Sequence, residues 1–517
     1  MKNHSGQWLA GGILLAAIMT LHLWSLLRFP HPFLDEVWLV GRAWGYIQTG
    51  QPVGPLDRGI LDRFPGYWTY NECLIPFLNS FILRLWGEPH LWPMRLMSLC
   101  WGVLLLVAIY AIASHLGGPR LGLLSVVLVA VSGPFFFSAH MARYDIAAAA
   151  LGFAAIALYL RGRGNFWPGL LAGLSIGVAF EIHANGVIYA PVVLALFLWH
   201  ERRSVFRCRG FWGLVIGGIL GAGLYAVLHI IPYPQTFFAL NRIFFGATRT
   251  PPLLSFDPQV MLQAVGELGQ MLVRIYRPAL FLLLMALVVL SVRRSPADQT
   301  LLMLVVVLVI AYTALVRNKF IYYAILITPA LDLLMAALIL ECSRSPWRGR
   351  LQDYASRILV WGLTAGFIGA NLMMLGTDYW QIYQSVQSRI NQVIQPGDSI
   401  MAVETYWLGL YDHVYYSWEL LPKYRYYRPG STLEDALREF RPDVLIIDGQ
   451  MRAFIIDPDP HSDPYRQYLQ ITPAELDRFL ARQARLLTAF DGGDYGPVSV
   501  YRLDWETPAM ERASSSE

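Results

Sequence analysis

A chain of 517 residues with 56% hydrophobic and 15% charged residues is more apolar than a soluble protein of this length, in which about 25% of residues are charged. The mean hydropathy of +0.43 predicts a polytopic membrane protein. The net charge of +4 is too small to indicate nucleic acid binding, and the four widely spaced cysteines, which form no CxxC pair, indicate neither a disulfide framework nor a zinc site.

The first apolar segment, residues 9–27, is predicted to be a retained membrane helix. It is longer than the apolar region of a signal peptide, which spans roughly 7–15 residues, and no A-x-A-like cleavage pattern follows it.

Further apolar runs are spaced along the chain as far as residue 377. A membrane helix needs about 17–25 apolar residues, and the runs of only about 15 need flanking aromatic or arginine side chains as anchors. The eleven candidate spans are residues 9–27, 96–114, 121–139, 146–160, 166–180, 184–199, 211–228, 278–292, 300–316, 320–340 and 358–377. The fold class predicted is therefore an α-helical polytopic membrane protein with about eleven transmembrane helices.

The arginines between these spans predict the orientation. If the N-terminus is cytoplasmic, alternate loops carry the positive charge that is typical of the cytoplasmic side. The arginines concerned are Arg161, Arg163, Arg202, Arg203, Arg207, Arg209, Arg293, Arg294, Arg344, Arg348 and Arg350.

The loop after the first span, residues 28–95, is long and is predicted to lie on the outer side. Within FLDEVWLVGRAWGYIQTGQP, the apolar residues Val37, Val40, Trp44 and Ile47 follow helical spacing, which favours an amphipathic helix in the interface. A second apolar stretch at 74–87 is short for a span and contains Pro76, so it too is expected to lie along the surface.

The same topology brings polar residues from four segments to the outer face. They are Asp35 and Glu36, HMARYD at 140–145, EIHANG at 181–186 and VRNKFIYY at 316–323. Ionisable residues at membrane depth are costly and usually functional, so their shared side is the informative observation.

After Thr377 the chain becomes polar, with the strand-like runs DSIMAVE, DVLIIDG and PVSVYRLDW. Helical patterns alternate with them in TLEDALREF and PAELDRFLARQARLL. This alternation predicts a small α/β domain, which the odd number of spans places outside the cell. The last residues, 506–517, are expected to be disordered.

Each polar group also has a structural interpretation. Asp35 could be a helix N-cap with Glu36 favoured by the helix dipole, and Arg143 with Asp145 could be an ion pair at a helix end. His183 could be an interfacial histidine with a satisfied hydrogen bond. Arg317 and Lys319 could be snorkelling anchors, with Tyr322 and Tyr323 in an aromatic belt.

These features together resemble a family. FLDE after the first helix, FILRLWGEPHLWPMRLMS, the ARYD turn, GLLAGLSIGVAFEIHANGVIYAPVVLAL and KFIYYAILITPAL are similar to segments of GT-C type glycosyltransferases. That superfamily of polytopic membrane enzymes includes protein mannosyltransferases, lipid A aminoarabinose transferases and galacturonosyltransferase-like proteins. The resemblance covers roughly residues 8–376. The chain departs from it where EIHANG replaces a common lysine, with His183 as the substitute, and where NECLIPFL replaces a PPL-type motif.

The resemblance implies a transmembrane glycosyltransferase domain at 1–376, which includes the loop 28–95 with its surface helices, and a soluble extracytoplasmic α/β domain at 377–517. It implies Asp35 as the catalytic carboxylate, with Glu36 in support, and Asp145 as a second acidic position. The residues expected to bind substrate are Arg58, Arg143, Asp145, His183, Arg317, Lys319, Tyr322 and Tyr323.

The reaction that it implies moves a sugar from a polyprenyl-phosphate donor to an acceptor hydroxyl at the outer face of the inner membrane. The acceptor would be a lipid such as lipopolysaccharide, a glycan or a protein of the cell envelope. Asp35 would take the proton of the attacking hydroxyl, a single displacement would invert the anomeric carbon, and cations such as Arg143, Lys319 or Arg317 would meet the leaving phosphate, with Arg58 or Arg63 as alternatives. No cofactor is predicted, although a divalent metal near Asp145 or Glu72 is compatible with these residues.

Two other functions are compatible with a polytopic chain. A transporter or flippase of lipid-linked sugars would carry polar residues near the middle of its spans and an internal repeat, and the spans offer mainly Asp332 and Asn185, with no repeat. A structural or sensing membrane protein would use its outer α/β domain to bind a partner.

Overall fold

The computed structural model describes residues 4–59, 62–245, 251–255, 257–276, 279–292, 295–342, 362, 365–428, 430–456 and 471–505. The chain divides into two compact units. The first unit consists of Met1–Phe29, Glu72–Ile75 and Arg95–Thr377, and the second consists of Pro30–Asn71, Pro76–Met94 and Asp378–Glu517. Most of the predicted outer loop 28–95 therefore shares its unit with the C-terminal residues.

The described residues are mostly helical. As far as residue 342 the helices are α1 (His4–Ser25), α2 (Leu34–Thr49), α3 (Leu74–Trp86), α4 (Leu91–Gly117), α5 (Pro119–Val131), α6 (Gly133–Ala139), α7 (Asp145–Gly162), α8 (Phe166–Ile182), α9 (Tyr189–Glu201), α10 (Arg209–Tyr225), α11 (Pro234–Phe245), α12 (Pro252–Ser255), α13 (Pro258–Tyr276), α14 (Leu280–Val292), α15 (Pro296–Leu315) and α16 (Thr328–Cys342). After Thr377 the elements are α17 (Tyr379–Asn391), β1 (Ser399–Ala402), β2 (Val414–Ser417), α18 (Leu420–Tyr427), α19 (Leu433–Phe440), β3 (Val444–Ile447), α20 (Gly449–Met451), α21 (Pro473–Gln483), β4 (Ala484–Asp491) and β5 (Pro497–Leu503).

Several helices of the described residues are long and apolar enough to span a membrane. By length and composition, five helices of the described residues could cross a membrane, and α5 with α6, which bend by 65° at their junction, could form a sixth. The predicted count of about eleven is therefore not confirmed, although shorter apolar helices occupy several of the other predicted spans. The predicted span 358–377 lies partly outside the described residues. The arginines at 293, 294, 344, 348 and 350 and the tail 506–517 lie entirely outside them.

Helices α8 and α10 pack along a seam of glycines in the first unit. A Cβ atom added to Gly177 would lie 2.5 Å from the Cα of Gly221, and one added to Gly173 would lie 2.2 Å from the carbonyl oxygen of Leu214. Small residues at this spacing let two membrane helices bring their backbones close together. The seam fixes the C-terminal end of α8 beside the chain that follows α10.

The C-terminal part of the second unit contains a five-stranded sheet with the order β2-β1-β3-β5-β4. Strand β1 is parallel to β2 and β3, whereas β5 is antiparallel to β3 and β4. All four residues of the central strand β3 are buried, as its continuous apolar sequence requires. The alternating strands and helices predicted for this part of the chain are thus present, except that ARLL begins strand β4 instead of continuing the helix before it.

Helix α2 packs within the second unit. Its residues Val37 and Val40 are fully buried, and a Cβ atom on Gly41 would be 3.8 Å from Trp407. The apolar face that was expected to lie in the membrane interface is thus covered by protein. Helix α3 fits the prediction of a surface helix better, since it exposes the apolar side chains of Phe81 and Leu85.

Candidate active site

A buried ion pair lies at the start of α7 in the first unit. Arg143 Nε donates to Asp145 Oδ2 at 2.8 Å, and the two residues are 5% and 2% exposed. Asp145 is the first residue of α7, where the helix dipole favours a carboxylate. The interpretation of these residues as an ion pair at a helix end therefore holds, and a catalytic use is an additional hypothesis.

His183 faces the same carboxylate from the end of α8. Its Nε2 lies 3.7 Å from Asp145 Oδ1, and its Nδ1 accepts the backbone N–H of Asn185 at 3.0 Å. Since Nδ1 is an acceptor, the imidazole proton is on Nε2 and points towards Asp145. Burial lowers the pKa of His183 to about 4, which Asp145 only partly offsets, so the ring is neutral at pH 7.

Aromatic rings complete this cluster. The guanidinium carbon of Arg143 is 4.0 Å from the ring centroid of Tyr322 and 5.3 Å from that of Tyr144. His183 packs against Tyr144 and Tyr323 at centroid distances of 4.8 and 5.1 Å. Residues from three of the four predicted polar segments thus meet in one place, and we call Arg143, Asp145, His183, Tyr322 and Tyr323 the Arg143 cluster.

The two other predicted cations of the first unit lie just after α15. Lys319 Nζ donates to the carbonyl oxygen of Thr313 at 3.2 Å and to that of Val316, so the ammonium caps the end of this helix. Burial lowers the pKa of Lys319 to about 8, and Glu267 partly offsets this effect. Arg317 is half-buried two residues earlier.

The predicted catalytic carboxylates belong to the second unit. Phe33, not Asp35, is the N-cap of α2, so the interpretation of Asp35 as the N-cap is wrong. Asp35 is half-buried in the first turn of α2. Glu36 is fully buried, and its Oε2 accepts the backbone N–H of Phe33 at 3.1 Å, which gives Glu36 a capping role. The catalytic roles of both carboxylates stay predictions.

The remaining predicted arginines also lie in the second unit. Arg58 is exposed after the short turn Pro55–Asp57. Arg63 pairs with Glu439, an interaction that accounts for its charge within this unit.

One group of residues was missed by sequence reasoning. Cys73, Glu181 and His229 are all buried, and the atoms that each could offer to a metal ion lie within 4.8 Å of one another. This is the one such group of three found among the described residues. Glu181 belongs to EIHANG, whose only residue assigned a role from the sequence was His183. The predicted alternative of a metal near Asp145 or Glu72 stays a prediction.

Comparison with known proteins agrees with the resemblance seen in the sequence. Residues 73–225 match the sequence model of the family described as dolichyl-phosphate-mannose-protein mannosyltransferase. No curated protein matches the chain.

Solved structures share the fold over nearly the whole chain. ArnT from Cupriavidus metallidurans in the apo state is 14% identical with a TM-score of 0.62, and the match covers 96% of this chain and 98% of that one. The same protein bound to undecaprenyl phosphate is 13% identical with a TM-score of 0.61, and the match again covers 96% of this chain and 98% of that one. A third structure is the oligosaccharyltransferase AglB from Archaeoglobus fulgidus in complex with an inhibitory peptide and a dolichol-phosphate. It is 12% identical with a TM-score of 0.54, and the match covers 96% of this chain and 74% of that one.

The matched family and these structures are GT-C glycosyltransferases, which is the class of enzyme that the sequence predicts. The apolar helices among the described residues are those of a multi-pass membrane protein. The chain therefore has the fold of the GT-C glycosyltransferases, as the resemblance seen in its sequence implies.

Proposed function

We propose that this protein is an integral membrane glycosyltransferase that moves a sugar from a polyprenyl-phosphate donor to a hydroxyl group of a cell-envelope acceptor. The observation that carries the proposal is the Arg143 cluster, which holds a buried cation among aromatic rings at one end of the helices of a GT-C fold. ArnT and AglB, which share this fold, were solved with undecaprenyl phosphate and dolichol-phosphate respectively.

The chemistry of the cluster fits a lipid phosphate. A planar guanidinium can donate two parallel hydrogen bonds to phosphate oxygens, and the Nε–H of Arg143 is already used by Asp145. Asp145 and the ring of Tyr322 hold the guanidinium in one orientation. A fixed cation of this kind stabilises charge as it develops on a leaving group, and it needs little reorganisation during the reaction.

In the proposed reaction the acceptor oxygen attacks the anomeric carbon and forms the new glycosidic bond. The bond from that carbon to the phosphate oxygen breaks with its electron pair, which leaves a polyprenyl phosphate monoester. Asp35 takes the hydroxyl proton, a role that rests on the sequence resemblance alone. A single displacement inverts the anomeric configuration.

The proposal places this chemistry at the outer, periplasmic face of the inner membrane. The alternation of arginine-rich loops supports this orientation. The lipid tail of the donor would remain in the bilayer, while the acceptor, whether lipopolysaccharide, another glycan or protein, would come from the periplasmic side.

The test uses the full chain purified in detergent or nanodiscs. Native mass spectrometry measures the binding of undecaprenyl phosphate, the part of the donor that does not depend on the sugar. Transfer is then assayed with a panel of polyprenyl-phosphate sugars and envelope extracts, with detection of the glycosidic product. Wild type should bind the lipid and form product, and Asp35→Asn should reduce transfer by about 10²-fold or more without loss of lipid binding. The control Asp412→Asn removes a carboxylate that is 75% exposed and should change neither.

One result would overturn the assignment of the base and another would overturn the proposed function. If a folded Asp35→Asn retains full transfer, Asp35 is not the base. If wild type in vesicles moves labelled lipid-linked sugar across the bilayer and forms no glycosidic bond with any acceptor, the protein is a transporter.

A further inference from the structure

The structure brings together three side chains that no part of the proposed reaction uses. Cys73 precedes α3, Glu181 lies in the last turn of α8, and His229 lies in the π-helical turn Ala226–Ile230 that follows α10. They are 4%, 3% and 2% exposed. Their potential ligand atoms all lie within 4.8 Å of one another.

Hydrogen bonds account for only half of the Glu181 carboxylate. Its Oε1 accepts the backbone N–H groups of Cys73 and Leu74 at 2.8 and 3.1 Å and lies 3.2 Å from His229 Nε2. Its Oε2 is buried and has no hydrogen-bond partner among the described residues. A buried carboxylate oxygen without a partner is costly, and a cation bound there would remove that cost.

We propose that Cys73, Glu181 and His229 bind a thiophilic divalent cation, with Zn²⁺ as the ion that this set of ligands fits best. A sulfur, a carboxylate oxygen and an imidazole nitrogen are all common Zn²⁺ ligands. The thiolate disfavours Mg²⁺ and Ca²⁺, which prefer oxygen ligands. This inference does not depend on the proposed glycosyl transfer.

The geometry needs only small adjustments. Zn²⁺ bonds of about 2.0–2.3 Å in a tetrahedron separate ligand atoms by roughly 3.3–3.8 Å, so side-chain rotations that move each atom by about 1 Å would close the site. Three protein ligands leave a fourth position for a water molecule, the arrangement that is typical of non-structural zinc sites.

The charges and the local backbone also fit a metal ion. A thiolate and a carboxylate with a neutral imidazole carry a charge of −2, so a divalent cation makes the buried site neutral. The π-helical turn is a rare conformation that occurs mostly at functional sites, and it places His229 on this cluster. The ring of Tyr225 stacks on His229 with a centroid distance of 4.4 Å and fixes its orientation.

The alternative is an ion pair between Glu181 and protonated His229, with Cys73 as a buried thiol. The two cases differ in what they predict for Cys73. In a metal site its sulfur is a ligand, so its substitution removes a spectroscopic band that an ion pair does not produce.

The experiment uses the full-length protein, stripped with a strong chelator and reloaded with Zn²⁺ or Co²⁺ alone. Elemental analysis of wild type should give about one equivalent of metal per chain, and the Co²⁺ form should show a thiolate-to-cobalt charge-transfer band in the near ultraviolet. Cys73→Ser should lose that band, and His229→Gln should lose most of the bound metal. The control Cys100→Ser changes an exposed thiol on α4 and should leave metal content and spectrum unchanged.

Thermal melting gives a second measurement that needs no activity. Metal that binds only the folded protein raises its stability, so Zn²⁺ should raise the melting temperature of stripped wild type and of Cys100→Ser but not of His229→Gln. The proposal is wrong if stripped wild type takes up no stoichiometric Zn²⁺ or Co²⁺, or if the cobalt spectrum is the same in Cys73→Ser. Should His229→Gln fail to fold, the comparison of Cys73→Ser with Cys100→Ser still decides.

Discussion

Neutral substitutions of Arg143 and Asp145, made singly and together, would separate the structural contribution of this ion pair from its catalytic contribution. Arg143→Met keeps most of the volume of the side chain, and Asp145→Asn keeps its shape. Each single variant leaves one buried charge without its partner, whereas the double variant removes both charges.

The magnitude follows from the geometry. Two unit charges whose centres lie about 4 Å apart attract by about 4 kcal/mol at an effective dielectric constant of about 20. Measured losses on breaking a buried pair are about 3–5 kcal/mol. We therefore expect each single variant to lose about 3–5 kcal/mol of unfolding free energy, and the double variant to lose much less than the sum of the two.

The assay compares chemical denaturation in mixed micelles with sugar transfer. The double variant should remain folded but lose about 10²–10³-fold in transfer, because the fixed cation that stabilises the leaving phosphate is absent. A double variant that is stable and fully active would show that the pair is structural only. If Asp145→Asn alone costs no stability, the reasoning from burial is refuted.

Three other predictions concern separate parts of the chain. If Lys319 meets the phosphate, transfer should fall with a midpoint near pH 8, where the ammonium loses its proton, and Lys319→Arg should move that fall to higher pH in a pH–rate profile. Gly177→Ala should lower the unfolding free energy by about 1–3 kcal/mol through overpacking against Gly221, whereas Gly218→Ala, with no neighbour within 4 Å of the added Cβ, should not. Burial, with a further contribution from Glu419, raises the pKa of Glu404 from 4.5 to about 8. Because folding favours the neutral carboxyl, the contribution of Glu404 to stability is complete below pH 4.5 and is lost as pH rises to 8. The melting temperature of Glu404→Gln should therefore depend less on pH over that range than that of wild type.

The sequence predicted that the segments of the Arg143 cluster lie on one side of the membrane, because this depends on topology more than on detail. Alternation of apolar spans was enough to assign the turns of Arg143, His183 and Tyr322 to one side of the membrane. The structure adds that these turns are in direct contact. Strand β3 was equally predictable, since four consecutive apolar residues bounded by aspartates favour a buried strand.

Other features depend on contacts that no local pattern encodes. Glu181 lies 108 residues from Cys73 and 48 from His229. The glycine seam of α8 and α10 brings Glu181 close to the turn of His229, and the backbone N–H of Cys73 donates to Glu181. The face of α2 was predicted correctly as apolar, but its pattern is the same whether protein or lipid covers it. The predicted span 121–139 consists of α5 and α6, which bend by 65° where Gly133 begins the second helix, and hydropathy alone does not register such a bend.

The charges of the Arg143 cluster and of Lys319 are balanced differently. Arg143 is balanced by Asp145, and the imidazole of His183 is neutral. Lys319 differs, because its ammonium donates to backbone carbonyl oxygens, and no carboxylate of the described residues forms an ion pair with it. Burial lowers its pKa to about 8, and the charge of Glu267 offsets this effect only in part. A phosphodiester donor carries one negative charge, which could pair with this ammonium, and the leaving phosphate monoester gains a second negative charge. In the proposed reaction the attraction to Lys319 therefore grows as the bond to phosphate breaks, which is the condition for a group that accelerates the reaction instead of only binding the substrate.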